Sequence, residues 1–248
     1  MRWLVPSRSF NEGLRVVEAF IETYITKALA LTPSELEQKS SKSDTFVHAL
    51  ARFTRSRKVI RDQIMAILLA GRDTTASSLS WTFLELARNP RVVEKLRSEI
   101  FNRLGPSGRA PTYQDIKDMK YLKAVLNETL RLYPIVPGNA REALEDAVIP
   151  VGGGEDGLSP FFVPKGTLVS WDIYTMHRRK DLFGDDAEAF RPERWLDENG
   201  RKGLRPGWEF LPFNGGPRIC LGREFLSCIW PRHCLNVFGW CRALYLLY

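Results

Sequence analysis

A helical run from about Arg55 to Arg88 constrains this 248-residue chain more than any other feature. It stops before Asn89-Pro90, because proline disfavours helical backbone in the residue before it. A helix of that length is predicted to cross a whole domain. Within it an apolar stretch, Ile64-Met-Ala-Ile-Leu-Leu69, gives way to Ala70-Gly-Arg-Asp-Thr-Thr75. An interior glycine costs about 1 kcal/mol relative to alanine, and Asp-Thr-Thr is also locally unfavourable. The bland reading is a packing glycine beside a solvated aspartate. However, Gly71, Thr74 or Thr75, and Ser78 recur at helical spacing and line one face. A threonine hydroxyl can bond the carbonyl four residues earlier and loosen the helix there.

The flanking segments read as mainly α with a small β region. Residues 10–31 carry apolar positions at helical spacing (Leu14, Val17, Phe20, Ile21, Ile25, Leu29), and 32–46 reads as a polar linker. Shorter helices are predicted at about 91–104, at 112–118 with Thr112 as N-cap, and at 121–133 ending at Pro134. From Val136 to Ser170, β-branched and aromatic residues flank Gly152-Gly-Gly154 and predict strands. That glycine triplet is no phosphate loop, since neither a helix start nor Lys-Ser/Thr follows it. Residues 183–210, charged and rich in Pro, Gly and aromatics, read as an ordered meander. The basic cluster Arg55, Arg57, Lys58, Arg61 reads as a solvated helix end.

Hydrophobic content of 44% and charged content of 26% are those of an ordinary globular protein. The formal charge of +7 is spread along the chain, which argues against nucleic-acid binding. No stretch of eighteen apolar residues occurs, so no transmembrane helix is expected, and Met1-Arg-Trp-Leu-Val-Pro lacks a signal peptide's apolar region. All four cysteines, 220, 228, 234 and 241, fall in the last 29 residues. Their spacings, with His233 as the nearby histidine, fit no familiar zinc pattern or disulfide framework.

Cys220 stands in Phe213-Asn-Gly-Gly-Pro-Arg-Ile-Cys-Leu-Gly222. Gly215, Gly216 and Pro217 shape a turn, Arg218 and Cys220 project from it, and Gly222 admits a close neighbour. Metals bind thiolate rather than thiol, so such a cysteine needs positive charge or backbone amides near its sulfur. A lone cysteine would ordinarily be a buried structural one. Phe, Gly, Arg, Cys and Gly in this order are far more specific.

Phe213-x-x-Gly216-x-Arg218-x-Cys220-x-Gly222 resembles the haem-binding signature of the cytochrome P-450 family. Three further motifs agree, in the family's order. Glu128-Thr-Leu-Arg131 resembles its E-x-x-R pair, Phe190-Arg-Pro-Glu-Arg194-Trp195 its P-E-R motif, and Ala70-Gly-Arg-Asp-Thr-Thr75 its oxygen-binding helix. The resemblance implies haem b bound through the Cys220 thiolate, which favours O–O cleavage. It implies a groove at Ala70, Gly71 and Thr74 admitting O2, with Asp73 and Thr74 relaying protons. Arg218, and Arg141 in Pro137-Gly-Asn-Ala-Arg141, would clamp the haem propionates. Glu128 and Arg131 share one helix face and, exposed, would contribute only ~0.2–0.5 kcal/mol. The resemblance instead implies a buried network with Arg194 that supports the pocket. His177, in Met176-His-Arg-Arg-Lys180, is read as packing against the meander rather than as a metal ligand.

The stretch from Val151 to Pro160 and on through Lys180 most resembles fungal microsomal alkane and fatty-acid hydroxylases. That likeness implies an apolar substrate and electrons from NADPH through a flavoprotein reductase. It also implies membrane-anchored full-length relatives on the cytosolic face of the endoplasmic reticulum. Rearrangement of fatty-acid hydroperoxides is disfavoured, because Asp73-Thr74 would be dispensable there.

Two departures from the family qualify these expectations. The family's domain is about twice this length, so residues 1–225 are expected to be the C-terminal half of its fold, truncated at both ends. The missing half would hold the anchor, the helix over the opposite haem face and much of the substrate pocket. After Glu224-Phe225 the likeness ends. Pro231, in Leu226-Ser-Cys-Ile-Trp-Pro231, would break the apolar helix expected there at about 3 kcal/mol. Residues 226–248 are therefore expected to be an aberrant tail, from a frameshift or retained intron. The rival expectation is an inactive fragment or mis-predicted gene product that does not retain haem.

Overall fold

Side-chain caps at Thr32, Thr45, Thr112 and Asp172 start four of the helices in the structure, a computed structural model that describes residues 8–38, 45–105, 109–196 and 203–223. The chain forms α1 (Arg8–Leu29), α2 (Pro33–Glu37), α3 (Phe46–Phe53), α4 (Arg57–Arg88), α5 (Pro90–Leu104), α6 (Tyr113–Asp118) and α7 (Lys120–Leu132). Strands β1 (Gly138–Glu142), β2 (Ala147–Gly153), β3 (Ser159–Val163) and β4 (Leu168–Asp172) follow, then short helices α8 (Ile173–Met176) and α9 (Lys180–Phe183). Single 3-10 turns at Pro192–Trp195 and Gly216–Arg218 complete the order. The chain divides into two units, residues 1–73 and 74–248. Among the described residues no helix is long and apolar enough to cross a membrane.

In the first unit, Ile21, Ile25 and Ala28 of α1 bury against Leu36, Ala51, Ile60 and Ile64. The expected linker at 32–46 is partly helical. Thr32 and Glu35 form a reciprocal capping box, and Pro33 stands in the first turn, where its missing N–H costs nothing. The basic cluster at the start of α4 is largely exposed, as expected, and two of its arginines also tie α4 to α1. Arg55 Nη2 donates to the carbonyls of Leu29 and Leu31 at 2.5 and 3.1 Å, satisfying orphan groups at the end of α1. Arg57 pairs with Glu22 and donates to Thr26 Oγ1.

The second unit is organised by α7. Leu122, Val125, Leu126 and Leu130 pack with Leu86, Val92, Leu96 and Ile116. Thr112 caps α6 by accepting from the Asp115 amide at 3.2 Å. The amides of Tyr121 and Leu122 donate to the Glu99 carboxylate at 2.8 and 2.9 Å and so cap α7. The strands form two antiparallel pairs, β1 with β4 and β2 with β3. Arg141 lies opposite Val169 and Asn139 opposite Trp171 in the first pair. The Gly152–Gly157 segment closes the second, and positive φ at Gly152, Gly154 and Gly157 explains its glycine content.

Helix α4 runs unbroken through Ala70–Thr75. Ile67, Leu68 and Leu69 are exposed on it, Leu69 by 63%.

Candidate functional site

The structure brings Glu128, Arg131 and Arg194 into one buried network. Glu128 and Arg131 are fully buried although both are ionisable, and Arg194 is 8% exposed. At i,i+3 on α7 they meet in a fork: Arg131 Nε to Glu128 Oε2 at 2.9 Å and Nη2 to Oε1 at 2.8 Å. The 3-10 turn at Pro192–Trp195 brings Arg194 Nε to Glu128 Oε1 at 2.9 Å and Trp195 Nε1 to Oε2 at 2.9 Å. The Arg191 amide adds a third bond to Oε1, also at 2.9 Å. Glu128 thus accepts five hydrogen bonds on two oxygens.

Both guanidiniums use all five of their N–H groups. Arg131 spends its other three on the carbonyls of His177, Ala187 and Ala189, at 2.9, 2.6 and 3.2 Å. Arg194 spends its other four on the Phe183, Asp186 and Ala189 carbonyls and on Asp186 Oδ1. No buried donor is left over, the condition under which buried charge is tolerable.

The cysteine loop begins where this network ends. The Leu211 amide donates to His177 Nε2 at 2.9 Å, and the His177 ring lies against Phe210 and Phe183. Phe213 packs on the α7 core. Asn214 (φ 64) and Gly216 (φ 68) reverse the chain in left-handed backbone. A Cβ at Gly215 would overlap the Trp208 ring, so any larger residue there requires this exposed indole to move aside. The Cys220 amide donates to the Phe213 carbonyl at 2.9 Å, closing the loop, and Cys220 itself is a free, exposed thiol. Arg218 is exposed beside it, and among the described residues a Cβ on Gly222 would meet only Cys220 Sγ, at 3.8 Å.

Arg141 lies exposed on β1, donating to Asn139 Oδ1 at 3.1 Å, with its guanidinium 5.4 Å from the Trp171 ring centre. Ala70, Gly71 and Asp73 belong to the first unit and Thr74 opens the second. Asp73 is exposed and Thr74 half-buried. Ser78 Oγ donates to the Thr74 carbonyl at 2.8 Å, and Thr82 Oγ1 to that of Ser78 at 2.8 Å. Back-bonding thus occurs on the expected face, one and two turns beyond the threonine pair. Cys228, Cys234, Cys241, His233 and Pro231 lie outside the described residues.

The family model described as Cytochrome P450 matches residues 4–227. The chain belongs to the cytochrome P450 family. It is similar to Cytochrome P450 52A1 of Candida tropicalis, 48% identical over 229 residues, covering 91% of this chain and 41% of that relative. It is similar also to Cytochrome P450 52A12 of Debaryomyces hansenii (48%, covering 90% and 43%) and Cytochrome P450 52A10 of Candida maltosa (50%, covering 90% and 43%). The chain spans about two-fifths of the length of these relatives.

The residues of this cytochrome P450 chain fit a thiolate-held haem. Cys220 offers a free sulfur on a glycine turn, and among the described residues only that sulfur comes within 4 Å of a Cβ placed on Gly222. Trp171 Nε1 is buried with no partner among the described residues, next to the Arg141 guanidinium. Such a set of donors suits carboxylates like haem propionates. Motif reading missed two partners of Glu128: the Trp195 indole and the Arg191 amide. The aromatic directly after Arg194 was the only signal for the first; a backbone amide leaves none. It also missed that His177 binds the cysteine loop, since a hydrogen bond to a main-chain amide has no sequence signature.

Proposed function

We propose that this chain carries the haem-ligating part of a cytochrome P450 monooxygenase acting on an apolar substrate, with Cys220 as the axial ligand. The observation that carries the reading is the continuous support from the buried Glu128–Arg131–Arg194 network to a glycine loop presenting a free thiol. A thiolate-ligated haem supplies dioxygen activation and favours O–O cleavage. Phe213, Gly216 and Gly222 would shape the seat of the haem, and Arg218 and Arg141 would donate to its propionates. Ala70 and Gly71 border the oxygen groove, while the Asp73 carboxylate and the Thr74 hydroxyl hold and pass protons. One oxygen atom enters a substrate C–H bond and the other leaves as water, using two electrons and two protons. NADPH supplies the electrons through a flavoprotein reductase.

The resemblance of residues 151–180 to fungal microsomal alkane and fatty-acid hydroxylases favours a long-chain alkane or fatty acid as substrate. It also favours a site at the cytosolic face of the endoplasmic reticulum membrane for the whole protein. Residues 1–225 are assigned to the catalytic domain and 226–248 to a tail outside the family's pattern. A second reading, a chain that does not retain haem, is favoured by the exposed apolar residues Ile67, Leu68 and Leu69 on α4.

The test is to express the chain with haem, reduce it and add carbon monoxide. A red-shifted, thiolate-type Soret band supports the assignment; spectra of free haem support the second reading. A Cys220→Ser variant that kept the thiolate band would overturn Cys220 as ligand.

A further inference from the structure

We infer that His177 is a positioning residue for the cysteine loop, holding its entry to the Glu128–Arg131 pair through a neutral imidazole with the proton on Nδ1. The functional half of this inference rests on the reading of Cys220 as haem ligand; the structural half does not.

His177 is fully buried. Its carbonyl accepts from Arg131 Nη1 at 2.9 Å, and its Nε2 accepts from the Leu211 amide at 2.9 Å. One residue therefore grips the network with its backbone and the loop with its side chain. Two residues beyond Leu211, the Phe213 carbonyl accepts from the Cys220 amide. The path from buried guanidinium to candidate ligand thus runs through Arg131, His177, Leu211, Phe213 and Cys220.

The state of the imidazole follows from its surroundings. A ring nitrogen that accepts from an amide carries no proton, so a neutral ring has its hydrogen on Nδ1. Burial pushes the imidazole down to about 4, outweighing the opposing pull of the nearby Arg131 and Leu130 carbonyls; neither makes a hydrogen bond with Nδ1, which is buried without a partner among the described residues. The nearby charges, on Arg131 and Arg178, are positive and act in the same direction as burial. Phe183 and Phe210 wall the ring and fix its plane, so Nε2 stays aimed at the amide. A phenylalanine would fill the same slot without an acceptor. Glutamine reaches as far as Nε2 and presents an oxygen.

The test compares amide exchange in the full chain, without haem, for wild type, His177→Phe and His177→Gln. Leu211 should exchange roughly tenfold faster or more in His177→Phe, as expected for a buried N–H losing its acceptor. The α7 amides should stay unchanged, and His177→Gln should restore most of the protection. Unchanged exchange at Leu211 in His177→Phe, or equal loss in the glutamine variant, overturns the link. If the phenylalanine variant does not fold, imidazole nitrogen shifts of the wild type decide: a protonated Nε2 at pH 7 overturns the inference. With haem bound, the thiolate share of the Soret band should fall about twofold or more in His177→Phe and recover in His177→Gln. An unmoved share overturns the positioning role even where exchange responds. Absence of the thiolate band from wild type would count against Cys220 alone, because exchange and nitrogen shifts are read without haem.

Discussion

Replacing Glu128 by glutamine keeps its shape and removes its charge, and the structure sets the size of the effect. Oε1 accepts three hydrogen bonds and Oε2 accepts two. Whichever way the new amide is turned, its NH2 points at two or three groups that are themselves donors. Two guanidiniums then remain in the interior, and Asp186 reaches only that of Arg194, at 3.3 Å. Removing one partner of a buried charge pair costs about 3–5 kcal/mol, a large share of the roughly 5–15 kcal/mol by which domains are stable. For a unit of this size each kcal/mol lowers the melting temperature by about 2–4 °C, giving a drop of roughly 6–20 °C. Scanning calorimetry or circular dichroism of the chain reads it directly. A fall of less than about 2 °C would refute the claim that this carboxylate holds α7 to the meander.

Trp195→Phe removes one charge-assisted bond to Glu128 and should cost about 1.5–3 kcal/mol in urea unfolding, less than Glu128→Gln; equal costs would mean packing, not the indole N–H, matters. Thr112→Ala removes the cap of α6 and should cost about 1 kcal/mol in the same assay, with no change in the carbon monoxide spectrum. His177, at about 4 when folded against an ordinary 6.5, binds its proton more readily in the unfolded chain. Its contribution is whole above about pH 6.5 and lost as pH falls toward 4, roughly 2 kcal/mol between pH 7 and pH 5. Urea midpoints should show this component in wild type and lack it in His177→Phe; identical pH profiles would contradict it.

Much of the architecture was legible because it follows local rules. Pro90 fixed the end of α4, Thr112 the start of α6, and the β-branched run after Val136 the strands. The missed helix at Pro33–Glu37 shows where such rules compete. Residues 32–46 read as a polar linker, yet the Thr32–Glu35 box and the burial of Leu36 favour a helical turn. Arg55 is exposed, as its charge implied, but its carbonyl partners lie 24 and 26 residues away, and only the fold brings those close. The Glu128, Arg131 and Arg194 constellation could be named from motifs. Its ten guanidinium bonds could not, because five of the acceptors are backbone oxygens whose identity leaves no mark on the sequence.

Those five oxygens, on His177, Phe183, Asp186, Ala187 and Ala189, explain why a meander needs two buried arginines. A segment without helix or strand ladders leaves its carbonyls without partners, and burying them unpaired is costly. Each guanidinium fans five N–H groups in one plane, so a pair of them can replace the missing ladder while sharing one carboxylate. Lysine, with three donors and no planar fork, could not reach the same set. Buried charge here is a means of hydrogen-bonding irregular backbone, and Glu128 is what keeps two cations inside. The loop that carries Cys220 is tied to that backbone at His177, so the geometry offered to a ligand is inherited from how the meander's carbonyls are satisfied.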